Sequence, residues 1–166
     1  FCNEVAMFSI TLLCMGKLKE KFYTAAAEEY SKRLRAFADF RIVELPEYRL
    51  PDDPNETQIA QGLSREAESI RKAIPKGAWL CVLTPEGRLL SSEELASTLH
   101  GVKTGGKSAA CFLIGSSFGI DPGIKAMADL KLSMSKMTFP HHLARVMALE
   151  QLYRAESIQA GTKYHK

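Results

Sequence analysis

The sequence predicts a single α/β domain with a mainly parallel sheet. Stretches with the period of a strand alternate with stretches with the period of a helix along the 166 residues, and neither a linker nor an internal repeat separates them. Two apolar runs, AWLCVLT at 78–84 and SAACFLIG at 108–115, are continuous, as in strands that are covered on both faces. Ligands of such sheets bind beyond the carboxyl ends of the strands.

Each strand is indicated by an apolar run or by apolar residues at every second position. The first strand alternates Phe8, Ile10 and Leu12 with Ser9 and Thr11. The five predicted strands lie at about 8–15, 40–45, 78–84, 108–115 and 130–135. The tetrapeptide PEGR at 85–88 is expected to turn the chain after the third of them.

The helices are indicated by apolar spacing and by their start signals. Phe22, Ala26, Tyr30, Leu34 and Phe37 follow each other at steps of four or three, which places them on one face of the first helix. Capping boxes open the second and third helices, and Asp121 with Pro122 opens a short fourth one. The last helix is expected from about Pro140 to Gln159, and the two capping boxes are Asn55 with Gln58 and Ser91 with Glu94.

The composition excludes several classes of protein. With 46% hydrophobic and 25% charged residues the chain is in the ordinary globular range, and no run approaches the ~18 apolar residues of a membrane span. A net charge of +3 permits nucleic-acid binding without demonstrating it. The four cysteines contain no Cys-x-x-Cys pair and are expected to be buried free thiols in a reducing cytoplasm. Residues 1–6 are expected to be a leader or a cloning remnant, with Met7 as the native start.

Common cofactor and nucleophile motifs are missing from the sequence. It contains no G-x-G-x-x-G fingerprint, no Walker A motif and no Gly-x-Ser-x-Gly elbow. The adjacent His141 and His142 would point about 100° apart on a helix, so they cannot chelate one metal together, and no metal site is predicted. In IGSSFG, Gly115 and Gly119 would let a ligand approach the main chain, or would form an ordinary strand-to-helix turn.

Three loops are therefore the candidate site, namely those that follow Leu83, Ile114 and Met134. Their sequences, together with others along the chain, are similar to those of one known family. The similar segments are ITLLCMGKLKEKF, EGRLLSSEELA, FLIGSSFGI, LSMSKMTFPHHLARVMALEQLYRA and the terminal YHK. On these segments residues 7–166 resemble the RlmH proteins, which are small SPOUT-superfamily methyltransferases that modify N3 of a pseudouridine in 23S ribosomal RNA.

The resemblance implies a SPOUT-type fold with a C-terminal trefoil knot, a homodimer built largely by the last helices, and S-adenosylmethionine as cofactor. It places cofactor contacts on three stretches of this chain, and Ser116, Thr84 and Met134 depart from the usual family residues. The implied contacts are Leu83, Gly115, Met134, Ser135, Lys136, Met137, Thr138 and Phe139.

Three residues are expected to act on the substrate. His165 would remove the N3 proton, Arg145 would stabilise the resulting anion, and Tyr164 would stack on or hydrogen-bond the base. The tail of one subunit would complete the site of the other. Candidate phosphate contacts, each also explained as ordinary surface charge, are Lys17, Lys19, Lys21, Arg145, Arg154 and Lys166.

The expected partner is 23S rRNA within the large subunit or the whole ribosome, in the cytoplasm, with no membrane and no metal. Two other functions are compatible with the same fold. One is a non-catalytic factor that binds or assembles ribosomes, and the other is a related tRNA methyltransferase. The complete cofactor loops disfavour the first, and the terminal Tyr164-His165-Lys166 disfavours the second.

Overall fold

The computed structural model describes residues 6–166 of the chain. Cys2 lies outside these residues, and so does the expected leader 1–6 except for Ala6. The strands are β1 Ser9–Met15, β2 Asp39–Leu45, β3 Trp79–Leu89, β4 Ala109–Ile114 and β5 Leu130–Ser133. The helices are α1 Lys21–Leu34, α2 Glu56–Ala73, α3 Ser92–Thr104, α4 Pro122–Met127 and α5 His141–Gln159.

The strands form one sheet in the order β2-β1-β4-β3-β5, and every pair in it is parallel. Successive residues of a strand face opposite sides of the sheet, so Leu12 and Leu13 are buried in two different cores. One core is closed by α1, α3 and α5, and the other by α2 and α4. The predicted α/β class with a mainly parallel sheet is confirmed.

The helix start signals work as the sequence predicts. The Asn55 side chain accepts a hydrogen bond from the Gln58 N–H at 2.8 Å, and the Gln58 side chain accepts one from the Asn55 N–H at 3.0 Å. Ser91 and Glu94 form the same reciprocal pair at α3. At α4 the Asp121 carboxylate accepts from the Gly123 N–H at 2.8 Å. Local sequence thus determines where these three helices begin.

The cysteines of the described residues are buried thiols. Cys14, Cys81 and Cys111 are free and lie within strands, as expected. Burial raises the pKa of Cys14 and of Cys111 to about 12, so both stay protonated at neutral pH. A thiol attacks as the thiolate, and these side chains are therefore chemically inert fillers of the core.

The third strand is longer than predicted and continues to Leu89, and its register against β5 shifts between Leu83 and Arg88, where PEGR was expected to turn the chain. Residues 85–88 belong to β3, whose partner Leu132 pairs with both Leu83 and Arg88. Between those two pairings the chain passes against β5, because a Cβ added to Gly87 would be 2.6 Å from the Leu132 carbonyl carbon. Glycine is needed where two backbones come this close.

The trefoil knot stays a prediction.

Candidate active site

The carboxyl ends of β3, β4 and β5 meet at one edge of the sheet. Leu83 pairs with Ile114 on one side and with Leu132 on the other. The three loops that follow these strands are therefore neighbours in space, although they are far apart in the sequence. This is the arrangement that the sequence predicts from three strand ends.

A cleft of about 470 Å³ lies between these loops. This is within the ~300–1,000 Å³ of typical small-molecule sites. All eight expected cofactor contacts line it, and Ile120, Lys125, His141 and Ala144 contribute to the same walls. The eight are Leu83, Gly115, Met134, Ser135, Lys136, Met137, Thr138 and Phe139.

The loop after β5 offers main-chain groups to this cleft. Residues 135–139 have neither helix nor strand structure. Within the described part of the chain, their only main-chain hydrogen bonds are made by the Met137 N–H, which donates to the Ser135 hydroxyl, and by the Ser135 carbonyl, which accepts from the Ser133 hydroxyl. The remaining peptide groups can bind a ligand that has both donors and acceptors.

Gly115 and Gly119 are required for two different reasons. A Cβ on Gly115 would be 2.4 Å from the Ile120 side chain and 2.5 Å from the Gly119 carbonyl oxygen. Gly119 has a φ of +98°, a backbone conformation that is unfavourable for residues other than glycine. A Cβ at this position would meet no atom within 4 Å. The packing of the loop on itself thus already requires glycine at 115, and the ordinary-turn interpretation accounts for both positions.

Ser116 is anchored by a buried acid that the sequence did not reveal as part of the site. Its hydroxyl donates to the Glu66 carboxylate at 2.9 Å, and the Tyr48 N–H donates to the same carboxylate at 3.3 Å. Glu66 is only 6% exposed, and burial raises its pKa above the ordinary value of a glutamate. The departure at Ser116 therefore ties the β4 loop to α2.

Thr84 and Met134, the other two departures, also have structural partners. Thr84 is buried and donates its hydroxyl hydrogen bond to Glu86. Lys125 contacts the same carboxylate at 2.6 Å, and these two bonds lower the pKa of Glu86 to about 2. Met134 packs against the core beneath α5. Thr84 thus shapes the chain directly after Leu83, where the cleft begins.

Arg145 lies inside the protein rather than at the cleft surface. Its side chain is 2% exposed, and it donates to the Glu44 carboxylate at 2.6 Å and to the Gly16 carbonyl at 3.0 Å. These contacts join α5 to the carboxyl ends of β1 and β2. The guanidinium is therefore engaged within this chain, and neither the substrate nor the phosphate role expected for Arg145 finds an exposed donor here.

The C-terminal tail folds back on its own chain, and neither Tyr164 nor His165 lines the cleft. The Tyr164 hydroxyl donates to Glu150 at 3.0 Å, and its ring packs on Tyr153 with 4.7 Å between centroids. Burial, followed by the hydrogen bond to Glu150, raises the pKa of Tyr164 to about 12. Tyr164 is thus a hydrogen-bond donor at neutral pH and cannot act as a base.

Both nitrogens of His165 have partners. The Arg154 guanidinium, which can only donate, lies 3.2 Å from Nδ1, and the Glu93 carboxylate lies 2.8 Å from Nε2. This pattern requires a proton on Nε2 and none on Nδ1. Arg154 is itself paired with Glu150 at 2.6 Å, so it is not a free phosphate contact in this arrangement. No sequence pattern indicated Glu93, Arg154 and Glu150 as the frame of the tail.

The adjacent histidines at the start of α5 contact different acids. His141 lies 3.7 Å from Glu47, and His142 lies 3.5 Å from Glu20. Burial, and then the neighbouring His142, lower the pKa of His141, which favours the neutral form of its ring. No group of three or more metal-ligating side chains occurs within residues 6–166. None of the helices in that range has the length and apolar character that a membrane crossing needs.

The sequence is related to known proteins over nearly its full length. Residues 8–165 match the family model described as "Predicted SPOUT methyltransferase". The chain therefore belongs to the SPOUT methyltransferase family, which agrees with a parallel sheet whose strand-end loops form a small-molecule cleft.

Two relatives define its place in that family more closely. The protein of Moorella thermoacetica named ribosomal RNA large subunit methyltransferase H is 43% identical over 160 residues, which are 96% of this chain and 100% of the relative. The protein of Acetivibrio thermocellus with the same name is 43% identical over 157 residues, which are 95% of this chain and 99% of the relative. The resemblance to the RlmH proteins is confirmed.

The fold is also similar to a solved structure of low sequence identity. That structure is of a probable methylase family protein from Haemophilus influenzae Rd KW20, with a TM-score of 0.50 and 13% identity. The similarity covers 93% of this chain and 67% of that one. It supports the SPOUT fold.

Proposed function

We propose that this protein transfers a methyl group from S-adenosylmethionine to N3 of a pseudouridine in 23S rRNA, with the assembled ribosome as substrate. The observation that carries the proposal is the single cleft lined by all eight expected cofactor contacts, in a chain of the SPOUT methyltransferase family. The relatives' name, ribosomal RNA large subunit methyltransferase H, supports RNA of the large subunit as the substrate.

The cleft residues fit S-adenosylmethionine. Leu83 and Phe139 provide apolar walls, and the main-chain groups of 135–139 provide donors and acceptors for a zwitterionic molecule. S-adenosylmethionine supplies a methyl group bound to a sulfonium. The close packing of Gly115 on Ile120 and the hydrogen bond of Thr84 to Glu86 fix the two neighbouring loops of the cleft.

The substrate nitrogen carries a proton that must leave before it can accept a methyl group. His165 is the proposed base, and Nδ1 is the nitrogen that lacks a proton in its present tautomer. Arg154 covers Nδ1 within the chain, so His165 can accept the proton only after this contact is released. Tyr164, which keeps its proton at neutral pH, would donate a hydrogen bond to a carbonyl oxygen of the pseudouridine ring.

The proposal includes a homodimer in the cytoplasm, in which the tail of one subunit reaches the cleft of the other. Tyr164 and His165 do not line the cleft of their own chain, which supports contact in trans. Arg145 was expected to stabilise the substrate anion. Since Glu44 and Gly16 hold it, its proposed role becomes that of placing the start of α5 against the cleft.

Methyl transfer from labelled S-adenosylmethionine to ribosomes that lack the modification tests the proposal. The expected result is one methyl group per ribosome, mapped to N3 of one pseudouridine in 23S rRNA. No incorporation, or mapping to a tRNA, would contradict it. Equal activity on naked 23S rRNA would contradict the assembled ribosome as substrate.

A binding or assembly factor that does not catalyse a reaction is the main alternative. Calorimetric titration with S-adenosylmethionine separates the two functions, because such a factor has no need of the cofactor. Saturable heat that is lost on Phe139→Asp would support the enzyme. A protein that binds ribosomes but gives no heat with S-adenosylmethionine would support the alternative.

A further inference from the structure

An exposed aromatic residue stands at the start of α1. Phe22 is 66% exposed, although aromatic side chains usually bury most of their surface. Its ring centroid lies 4.4 Å from that of Tyr23 with the two planes tilted by 54°, and this contact leaves most of Phe22 open to solvent. A single exposed apolar side chain needs no explanation by itself, so its surroundings decide what it can do.

Three exposed lysines flank this ring. The side chains of Lys17, Lys19 and Lys21 are exposed and make no hydrogen bond and no ion pair with any residue in the described range 6–166. The nearest acid in the sequence, Glu20, contacts His142 instead. The segment therefore presents three lysines without ion-pair partners at two-residue intervals, directly before the exposed Phe22 in the sequence.

A line of rings connects Phe22 with the cleft. Tyr23 packs edge-on against His142 at 6.3 Å, and His142 packs against His141 at 4.2 Å. His141 itself lines the cleft. Lys17, Lys19, Lys21 and Phe22 are here named the α1 entry surface, and ring contacts link its Phe22 to the proposed cofactor site.

We propose that the α1 entry surface binds unpaired RNA next to the target nucleotide, with one base stacked on Phe22 and phosphates on the three lysines. This inference rests on the proposed function and adds a substrate-binding site to it. Unpaired RNA is recognised by stacking of its bases on aromatic side chains and by basic groups along its backbone. A closely spaced ring and lysines offer both, whereas a protein partner would be expected to bury a larger apolar patch.

Substitution of Phe22 tests the stacking contact. Phe22→Ala and Phe22→Leu should weaken binding to ribosomes about tenfold, which corresponds to about 1.4 kcal/mol. Phe22→Tyr keeps a flat ring and should bind as the unchanged protein does. Because Leu retains apolar area but has no ring face, equal binding by the Leu and Tyr variants would overturn stacking.

Substitution of the lysines tests the phosphate contacts. Each phosphate contact to single-stranded RNA contributes about 0.7 to the slope of log affinity against log salt. The variant K17Q/K19Q/K21Q loses three such contacts, so its slope should be smaller by about 2. The matched control K32Q/K72Q/K76Q removes three exposed lysines near the carboxyl ends of α1 and α2, at the opposite edge of the sheet. An equal change of slope in both variants would overturn the site.

The same assays separate this inference from the proposed function. Each variant is first titrated with S-adenosylmethionine, whose affinity should not change, and then assayed for methyl transfer to ribosomes. Loss of transfer at low ribosome concentration, restored at high concentration, supports the site. Full transfer by Phe22→Ala with undiminished affinity overturns the site while the proposed function stands. No transfer by the unchanged protein overturns the proposed function instead.

A change in the mass of the oligomer on Phe22→Ala would assign the surface to a second copy of the chain and overturn RNA binding.

Discussion

The Arg145 guanidinium donates a hydrogen bond to the Glu44 carboxylate at 2.6 Å, and this contact joins residues 101 positions apart. Arg145 is 2% exposed, whereas the Glu44 side chain is 35% exposed. The pair holds the start of α5 on the carboxyl end of β2. Since His141 and Ala144 of α5 line the cleft, the pair also determines one wall of the proposed site.

Removal of Glu44 should therefore destabilise the fold. Glu44→Ala leaves a buried guanidinium with only the Gly16 carbonyl. We expect a loss of about 2 kcal/mol, below the ~3–5 kcal/mol of a fully buried pair because water reaches Glu44. Urea unfolding followed by circular dichroism measures it. Glu29→Ala, which breaks the exposed pair with Arg33, is the control and should cost less than about 0.5 kcal/mol. Equal losses of stability in the two variants would show that Glu44 does not hold Arg145 in place, and the guanidinium would then be available to a substrate.

Deletion of residues 164–166 should abolish methyl transfer and leave binding of S-adenosylmethionine unchanged, because these residues do not line the cleft. Mixing this truncation with a Phe139→Asp subunit tests action in trans. In random dimers half of the molecules pair one intact cleft with one intact tail, so about a quarter of the unmixed activity should return. A mixture as inactive as its two components would show that each tail serves its own cleft.

Gly87→Ala should be among the most damaging single substitutions in the described chain. The new Cβ would be 2.6 Å from the Leu132 carbonyl carbon and 2.7 Å from its nitrogen, and backbone atoms cannot move aside as a side chain can. The expected loss is about 3 kcal/mol in the free energy of unfolding, or no soluble protein. Gly101→Ala, inside α3 with no atom within 4 Å of its Cβ, should instead stabilise by about 0.5–1 kcal/mol. Similar behaviour of the two variants would refute the close crossing.

Glu66 should make stability depend on pH. Burial raises its folded pKa above the unfolded value, so its contribution to stability is full below about pH 4.5 and declines as the pH rises through the folded pKa. Glu66→Gln cannot ionise and should lack this decline. Urea unfolding between pH 4 and 7 measures the difference. Glu68→Gln, at an exposed site of the same helix, should retain the decline. Parallel curves for Glu66→Gln and the unchanged protein would show that Glu66 is not the titrating group.

Much of the site could be predicted because its information is local. A strand ends where an apolar run ends, and in a parallel sheet the carboxyl ends meet, so Leu83, Ile114 and Met134 were enough to indicate one cleft. The capping boxes at Asn55 and Ser91 depend on residues three apart. Such short-range rules need no knowledge of the rest of the fold.

The remaining features depend on contacts between distant segments. The burial of Arg145 follows from Glu44, and the frame of His165 follows from Glu93, which is 72 positions away. PEGR has the residues of a turn, but the return of the chain to β5 at Arg88 after this irregular stretch depends on the distant Leu132. Gly115 was expected to serve a ligand or a turn, and only the position of Ile120 shows how closely the loop packs.

The double pairing of Leu132 makes β5 part of the frame of the cleft. Strand β5 lies against both Leu83 and Arg88, so the segment that joins those two residues has its final shape only once β5 is in place. Residues 134–139, which follow β5 directly, supply much of the cleft lining. A chain whose first four strands have paired would therefore still lack a cofactor site. The proposed cofactor, S-adenosylmethionine, would therefore bind only to a chain in which β5 has joined the sheet.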